Sequence, residues 1–224
     1  ARSEVGGTAS SEQYDGVTVN ICNCDHLTFR TTGVMQDLDL TSHGLKYLDA
    51  DPTQLSTSWD DRRIWPHFND LSQTLEVIKQ FFPDDVDGYR AYAKDSMPVV
   101  ELILEAASQV PSRASLISKV IARRGKGVTT MLRWSRMSAS QVLRNYFKSE
   151  LLIGPALAIG PTVWGVSPHT PGTGLGALTY AMRHVAKVGR PVGGSGMVPL
   201  ALRRSIESNS GVVMTSTRVS GILC

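Results

Sequence analysis

The chain opens Ala1-Arg2-Ser3-Glu4-Val5-Gly6-Gly7-Thr8-Ala9, and the reading of this stretch decides the rest. A glycine has no Cβ, so the backbone N–H groups of a glycine doublet can approach an anionic group that other residues would hold off. No strand or helix pattern precedes the doublet. Taken alone, Gly6-Gly7 reads as an ordinary turn, because glycine pairs are common. A second glycine-rich stretch stands near the other end: Gly189-Arg190-Pro191-Val192-Gly193-Gly194-Ser195-Gly196-Met197-Val198-Pro199-Leu200-Ala201-Leu202.

The two stretches together resemble the FAD-dependent phytoene-dehydrogenase-like oxidoreductases. That family carries a P-x-G-G-x-G-x-L-x-x-A-L run, then a helix, a short turn and a V-x-x-I strand. Here Ser210-Gly211-Val212-Val213 and Val219-Ser220-Gly221-Ile222 follow in order. The segment from Ser140 to Ser149 and Pro168-His169-Thr170-Pro171-Gly172-Thr173 are also similar to the family, so the resemblance runs nearly end to end. It implies an FAD cofactor, with Gly6, Gly7 and Thr8 at the pyrophosphate, Arg2 beside phosphate or ribose, and the backbone of Val219 against adenine. The family's N-terminal G-x-G-x-x-G turn and its C-terminal flavin-binding segment are expected outside residues 1–224. On that expectation the fragment alone is inactive and binds FAD weakly or not at all.

The implied fold is α/β: an incomplete FAD-binding Rossmann-type domain with an inserted, mostly helical substrate domain. Residues 1–59 and 188–224 would form the flavin side and 60–187 the insertion. The local patterns agree with this division. Val17-Thr18-Val19-Asn20-Ile21 alternates β-branched residues after an Asp15-Gly16 turn and predicts a strand. Asn69 or Asp70 can cap a helix that runs to Phe82, where Pro83 stops it. A helix is predicted over 86–109, with Met97, Val100, Leu104 and Ala107 on its buried face and Pro98 kinking or restarting it. Ser138 can cap a helix through Phe147, and 173–187 predicts another. Val198, Leu202 and Ile206 give a last helix its buried stripe, and the Val219 region predicts a strand.

Composition fits a globular protein with a core, at 42% hydrophobic and 19% charged residues. A net charge of +3 is too small to imply nucleic acid. No acid lies between Glu105 and Glu150, whereas Arg113, Lys119, Arg123, Arg124, Lys126, Arg133, Arg136, Arg144 and Lys148 do. The plain reading is a solvated face paired with the acidic stretch before it; the functional reading is peripheral contact with anionic lipid or with an acidic partner. The most apolar run, Leu151 to Val166, is broken by Gly154, Pro155, Gly160 and Pro161, so no membrane span is expected. Three cysteines, Cys22, Cys24 and Cys224, do not make a disulfide framework and suit a reducing compartment, cytoplasm or organelle matrix.

Cys22-Asn23-Cys24-Asp25-His26 offers too few ligands at poor spacing for zinc, and C-x-C is not the usual redox spacing, so no metal is expected. Relatives often read F-D-A-G-P there, beside the flavin; here Asn20 replaces the acid and Cys22 the glycine. His43, His67, His169 and His184 read as structural. Gly172-Thr173-Gly174-Leu175-Gly176 and Gly125-Lys126-Gly127 lack the context of phosphate loops. No catalytic residue stands out. In the family the flavin takes hydride from an apolar substrate, carotenoids and retinoids among them, inside a dry tunnel. Tyr146, Phe147, Leu151, Leu152, Ile153 and Trp164 could line such a tunnel or simply form core. Two other readings stand beside this one: a flavin-dependent amine oxidase, and a non-catalytic binding protein on the same fold.

Overall fold

The computed structural model describes residues 3–22, 26–59, 62–108, 112–123, 125 and 127–222, with the side chains of 28, 113, 114, 116, 163 and 164 left aside. In chain order the elements are β1 (Ser11–Tyr14), β2 (Val17–Asn20), α1 (Leu27–Thr31), α2 (Val34–Asp37), β3 (Tyr47–Asp49), β4 (Gln54–Thr57), β5 (Ile64–His67), α3 (Leu71–Phe81) and α4 (Val86–Ala107). Then come α5 (Arg113–Ala122), α6 (Val128–Trp134), α7 (Ala139–Arg144), α8 (Glu150–Ile159), α9 (Thr179–Val185), β6 (Gly189–Pro191) and α10 (Met197–Ser208). Short 3-10 turns stand at Pro83–Asp85, Pro161–Trp164 and Gly174–Leu178. The class is mixed α/β with small sheets. Each sheet has two antiparallel strands, β1 with β2, β3 with β6 and β4 with β5, and no parallel pair occurs among the described residues.

The chain divides into two compact units, Ala1–Ala50 with Val188–Cys224, and Asp51–Lys187. In the first, Asp15 and Gly16 both take positive φ (48° and 75°), the geometry a two-residue hairpin turn requires, and so join β1 to β2. The core is small: Leu40, Leu45 and Ala201, fully buried, with Phe29, Met35, Tyr47, Met197, Val198 and Leu202 packed round them. Arg30 ties α1 to both strands of the β3–β6 pair and its approach. It donates to the Val188 carbonyl at 2.7 Å, pairs with Asp49 at 2.7 Å and lies 4.7 Å over the Tyr47 ring. On α10 the predicted stripe is shifted: Ala201 is buried, Val198 and Leu202 are half-buried, and Ile206 is exposed. The strand expected at Val219 does not form. Residues 212–222 have no ladder partner, and Val212, Val219 and Ile222 are exposed.

The second unit is built on α4. Its buried face runs Tyr89, Tyr92, Ala93, Ser96, Val99, Val100 and Leu104, at helical spacing, so the stripe begins earlier than Met97 and Ala107 lies outside it. Helix α4 continues through Pro98 without restarting. Asp70 caps α3, accepting the Gln73 N–H at 3.0 Å, and Ser138 and Gln141 form a reciprocal capping box on α7. Helix α7 ends at Arg144, short of the predicted Phe147, and the 173–187 segment divides into a 3-10 turn and α9. The buried Asp85 carboxylate accepts N–H groups from Lys148 (2.5 Å) and Ser149 (3.1 Å), pinning the start of α8 to the start of α4. Tyr89, Tyr92, Trp134, Phe147 and Tyr180 form an aromatic core. Their hydroxyls are not left unmatched: Tyr92 donates to the Ala177 carbonyl and Tyr180 to the Leu152 carbonyl, each at 2.6 Å.

Candidate functional site

The first glycine doublet makes a tight turn in which the Ala9 N–H donates to the Gly6 carbonyl at 2.9 Å. The two glycines do different work. Gly6 sits at φ +117°, and a Cβ there would lie 2.6 Å from the Ala9 oxygen and 2.7 Å from Pro199 Cγ. It is a packing glycine, seated against the first turn of α10. Gly7 sits at φ +56°, and a Cβ there would meet nothing within 4 Å. Gly7 and Thr8 are exposed, and their N–H groups take no partner among the described residues. Successive free amides in such a turn are what an anion requires.

The second glycine stretch comes to the same place. Gly193 and Gly194, both at φ +91°, link β6 to α10. Here the amides are already used: Ser195 N–H donates to Asn20 Oδ1 at 2.8 Å and Gly196 N–H to Ser11 Oγ at 3.0 Å. The Ser11 hydroxyl in turn donates to Asn20 Oδ1 at 2.8 Å. Asn20 thus holds the glycine loop onto the base of the β1–β2 hairpin, a role that sequence reasoning missed. The only signal was an amide side chain at a strand end.

Of the predicted cofactor residues, Gly6, Gly7 and Thr8 therefore form one turn, and Gly6 abuts the second glycine segment through Pro199. Val219 is not built into a strand; it is 75% exposed in the terminal segment. Arg2 lies outside the described residues, as do Cys24, Asp25, Lys126 and Cys224. The exposed Gly7 and Thr8 N–H groups, with nothing within 4 Å of a Cβ on Gly7, are open to an anionic group such as the pyrophosphate the resemblance implies. Cys22 is exposed and unpaired as a thiol, and no group of three metal-ligating side chains occurs among the described residues.

In the second unit, three of the residues that could line a tunnel are core and the others differ. Phe147, Leu152 and Ile153 are buried, Phe147 against Tyr89 and Tyr92. Tyr146 donates to Asp95 at 2.6 Å; burial, then Asp95, push its hydroxyl up to about 12. Leu151 lines a concavity of about 310 Å³ with Phe82, Asp84 and Lys148, and the Trp164 side chain lies outside the description. An apolar concavity of about 360 Å³ lies instead between Pro161, Val166, Thr170, Pro171 and Leu175. Part of the basic stretch is paired: Arg123 with Glu101 and Glu105, Arg133 with Asp95, Arg144 with Glu150. Among the described residues no helix is long and apolar enough to cross a membrane. No protein-family model matches the chain, and no curated protein matches it.

Proposed function

We propose that this chain contributes the pyrophosphate turn of an FAD-dependent oxidoreductase of the phytoene-dehydrogenase-like kind, acting on an apolar organic substrate. The observation that carries the reading is the pairing of two glycine segments far apart in sequence. Gly6 seats on Pro199, and the same turn leaves the Gly7 and Thr8 amides free. The reading takes the first unit as part of a Rossmann-type flavin domain.

On this reading the residues divide the work. Gly7 and Thr8 N–H groups, with the Thr8 hydroxyl, bind the pyrophosphate. Gly6 and Pro199 fix the turn, and the Ser11–Asn20 clamp holds the neighbouring loop rigid so that the turn is preorganised. Bound FAD would supply the hydride-accepting ring. The second unit offers an apolar face at Pro161, Val166 and Leu175 that could exclude water from a substrate.

The test is the protein purified with the sequence that flanks it in its gene, and its Gly7→Asp variant. Aspartate tolerates φ +56° but puts a carboxylate where the phosphate binds. We expect visible flavin absorption in the parent, its loss in the variant, and unchanged circular dichroism. A parent that releases no flavin on denaturation, or a variant that keeps its full flavin content, would refute the reading. Anaerobic bleaching of the flavin by polyenes but not amines would separate it from an amine oxidase.

A further inference from the structure

His67 is buried in the second unit in an unusual way. Its ring is fully enclosed, and both nitrogens lack a hydrogen-bond partner among the described residues. It stacks on Tyr180 of α9, ring centroids 4.3 Å apart and 14° from parallel, with Tyr89 of α4 6.2 Å away. Across the β4–β5 ladder it faces Gln54, which is neutral and whose Oε1 is also unpartnered. The charged groups that act on it come from α9: Arg183 and His184. Helix α3 adds no charge of its own to His67; its cap Asp70 acts on His184 instead.

His184 is placed differently. Its Nδ1–H donates to the Asn69 carbonyl at 3.0 Å, and its Nε2 lies 3.0 Å from the Tyr89 hydroxyl, which donates to it. A proton added to His184 would find the Tyr89 oxygen as acceptor. A proton added to His67 would create a cation with two N–H donors, no acceptor in hydrogen-bond contact with either nitrogen and Arg183 nearby. Burial, then His184, then Arg183 all push His67 down, to about 3. Burying a charge under these conditions is strongly unfavourable, so the ring must reach water before it can hold the proton.

We infer that His67 is an acid-sensitive latch: proton uptake there releases the inner face of the β4–β5 hairpin from Tyr180 and α9. The hairpin is suited to partial release. It is a two-stranded ribbon with no further strand beside it among the described residues, and its inner face, Ser56, Trp65 and His67, is what buries it. This inference does not depend on the flavin reading.

The experiment is amide hydrogen exchange on the whole chain from neutral pH downward, corrected for intrinsic rates, beside a ¹³C titration of the histidine rings. Protection of the hydrogen-bonded amides of Thr53 and Ser58 should fall by up to tenfold per pH unit below the unfolded histidine value, while amides of α7 stay protected. His67→Phe keeps the aromatic stack and removes the proton site, so this pH dependence should vanish. Equal pH dependence in parent and variant would overturn the latch. If His67→Phe does not fold, the parent decides alone. The latch stands if the His67 ring gains its proton as hairpin protection is lost, and it fails if the two events are separate.

Discussion

Gly88→Ala should destabilise the second unit although it improves the helix. Gly88 lies in the first turn of α4, and glycine in a helix is worse than alanine by up to about 1 kcal/mol. Propensity alone therefore predicts a gain. But a Cβ on Gly88 would lie 1.9 Å from the Tyr146 carbonyl oxygen, and a real contact is not shorter than 3.0 Å, so the two segments must part by 3.0 − 1.9 = 1.1 Å. The Tyr146 segment cannot yield freely. Asp85, three residues before Gly88, holds the N–H groups of Lys148 and Ser149; Phe147 is buried; and the Tyr146 hydroxyl is bonded to Asp95. Opening the gap costs about 1–3 kcal/mol in overpacking, with about 1–3 kcal/mol more for each buried hydrogen bond lost. Against the propensity gain, the net loss should be about 2–4 kcal/mol. Urea denaturation followed by far-ultraviolet circular dichroism measures it. A midpoint that rises, or stays where it was, would mean that α4 and the Tyr146 segment are not in backbone contact.

Asp85→Asn, which keeps one acceptor oxygen, should cost less than Asp85→Ala, which takes the acceptor from two N–H donors and should lose about 1–3 kcal/mol by the same denaturation. Tyr180→Phe removes the bond to the Leu152 carbonyl and should lower stability by about 1–2 kcal/mol. For pH, His67 is neutral when folded and titrates near 6.5 when unfolded, so below 6.5 the unfolded chain binds a proton that the native chain refuses. Stability should be full above that value and fall by about 1.4 kcal/mol per unit toward about 3, and denaturation series in parent and His67→Phe should diverge accordingly. Gly6→Ala, at a φ that suits glycine and with no room for a Cβ, should unfold the turn, while Gly7→Ala should cost only about 1–2 kcal/mol of left-handed strain; thermal melts separate the two.

Local signals carried far in this chain where the residues are self-sufficient. Asp15-Gly16 dictates its own turn, Asp70 and Pro83 bound α3, and Ser138 with Gln141 forms a cap that needs nothing distant. The signal weakened where partners decide. On α4 the predicted Val100 and Leu104 are buried, but the buried face starts earlier, at Tyr89 and Tyr92, whose ring partners include the distant Tyr180. Val219-Ser220-Gly221-Ile222 has β-prone residues, but a strand needs a neighbour to pair with, and none lies beside it among the described residues. The glycine turn was legible as a candidate. The clamp by Ser11 and Asn20 was not, since it links positions 175 and 185 residues apart. Nor could sequence tell that His67 is sealed in while His169 is exposed.

Among the described residues the β1–β2 hairpin is fastened to the rest of the first unit at its base, where Asn20 and Ser11 hold Ser195 and Gly196, while Glu12 to Val19 are exposed. That makes Asp15-Gly16 a natural splice point. A foreign peptide inserted there would lengthen a loop whose closure cost grows only slowly with size, and would leave the Asn20 clamp untouched. The tip is accordingly the place to install a reporter, such as a fluorophore or an epitope, that reads the first unit without disturbing its glycine turns.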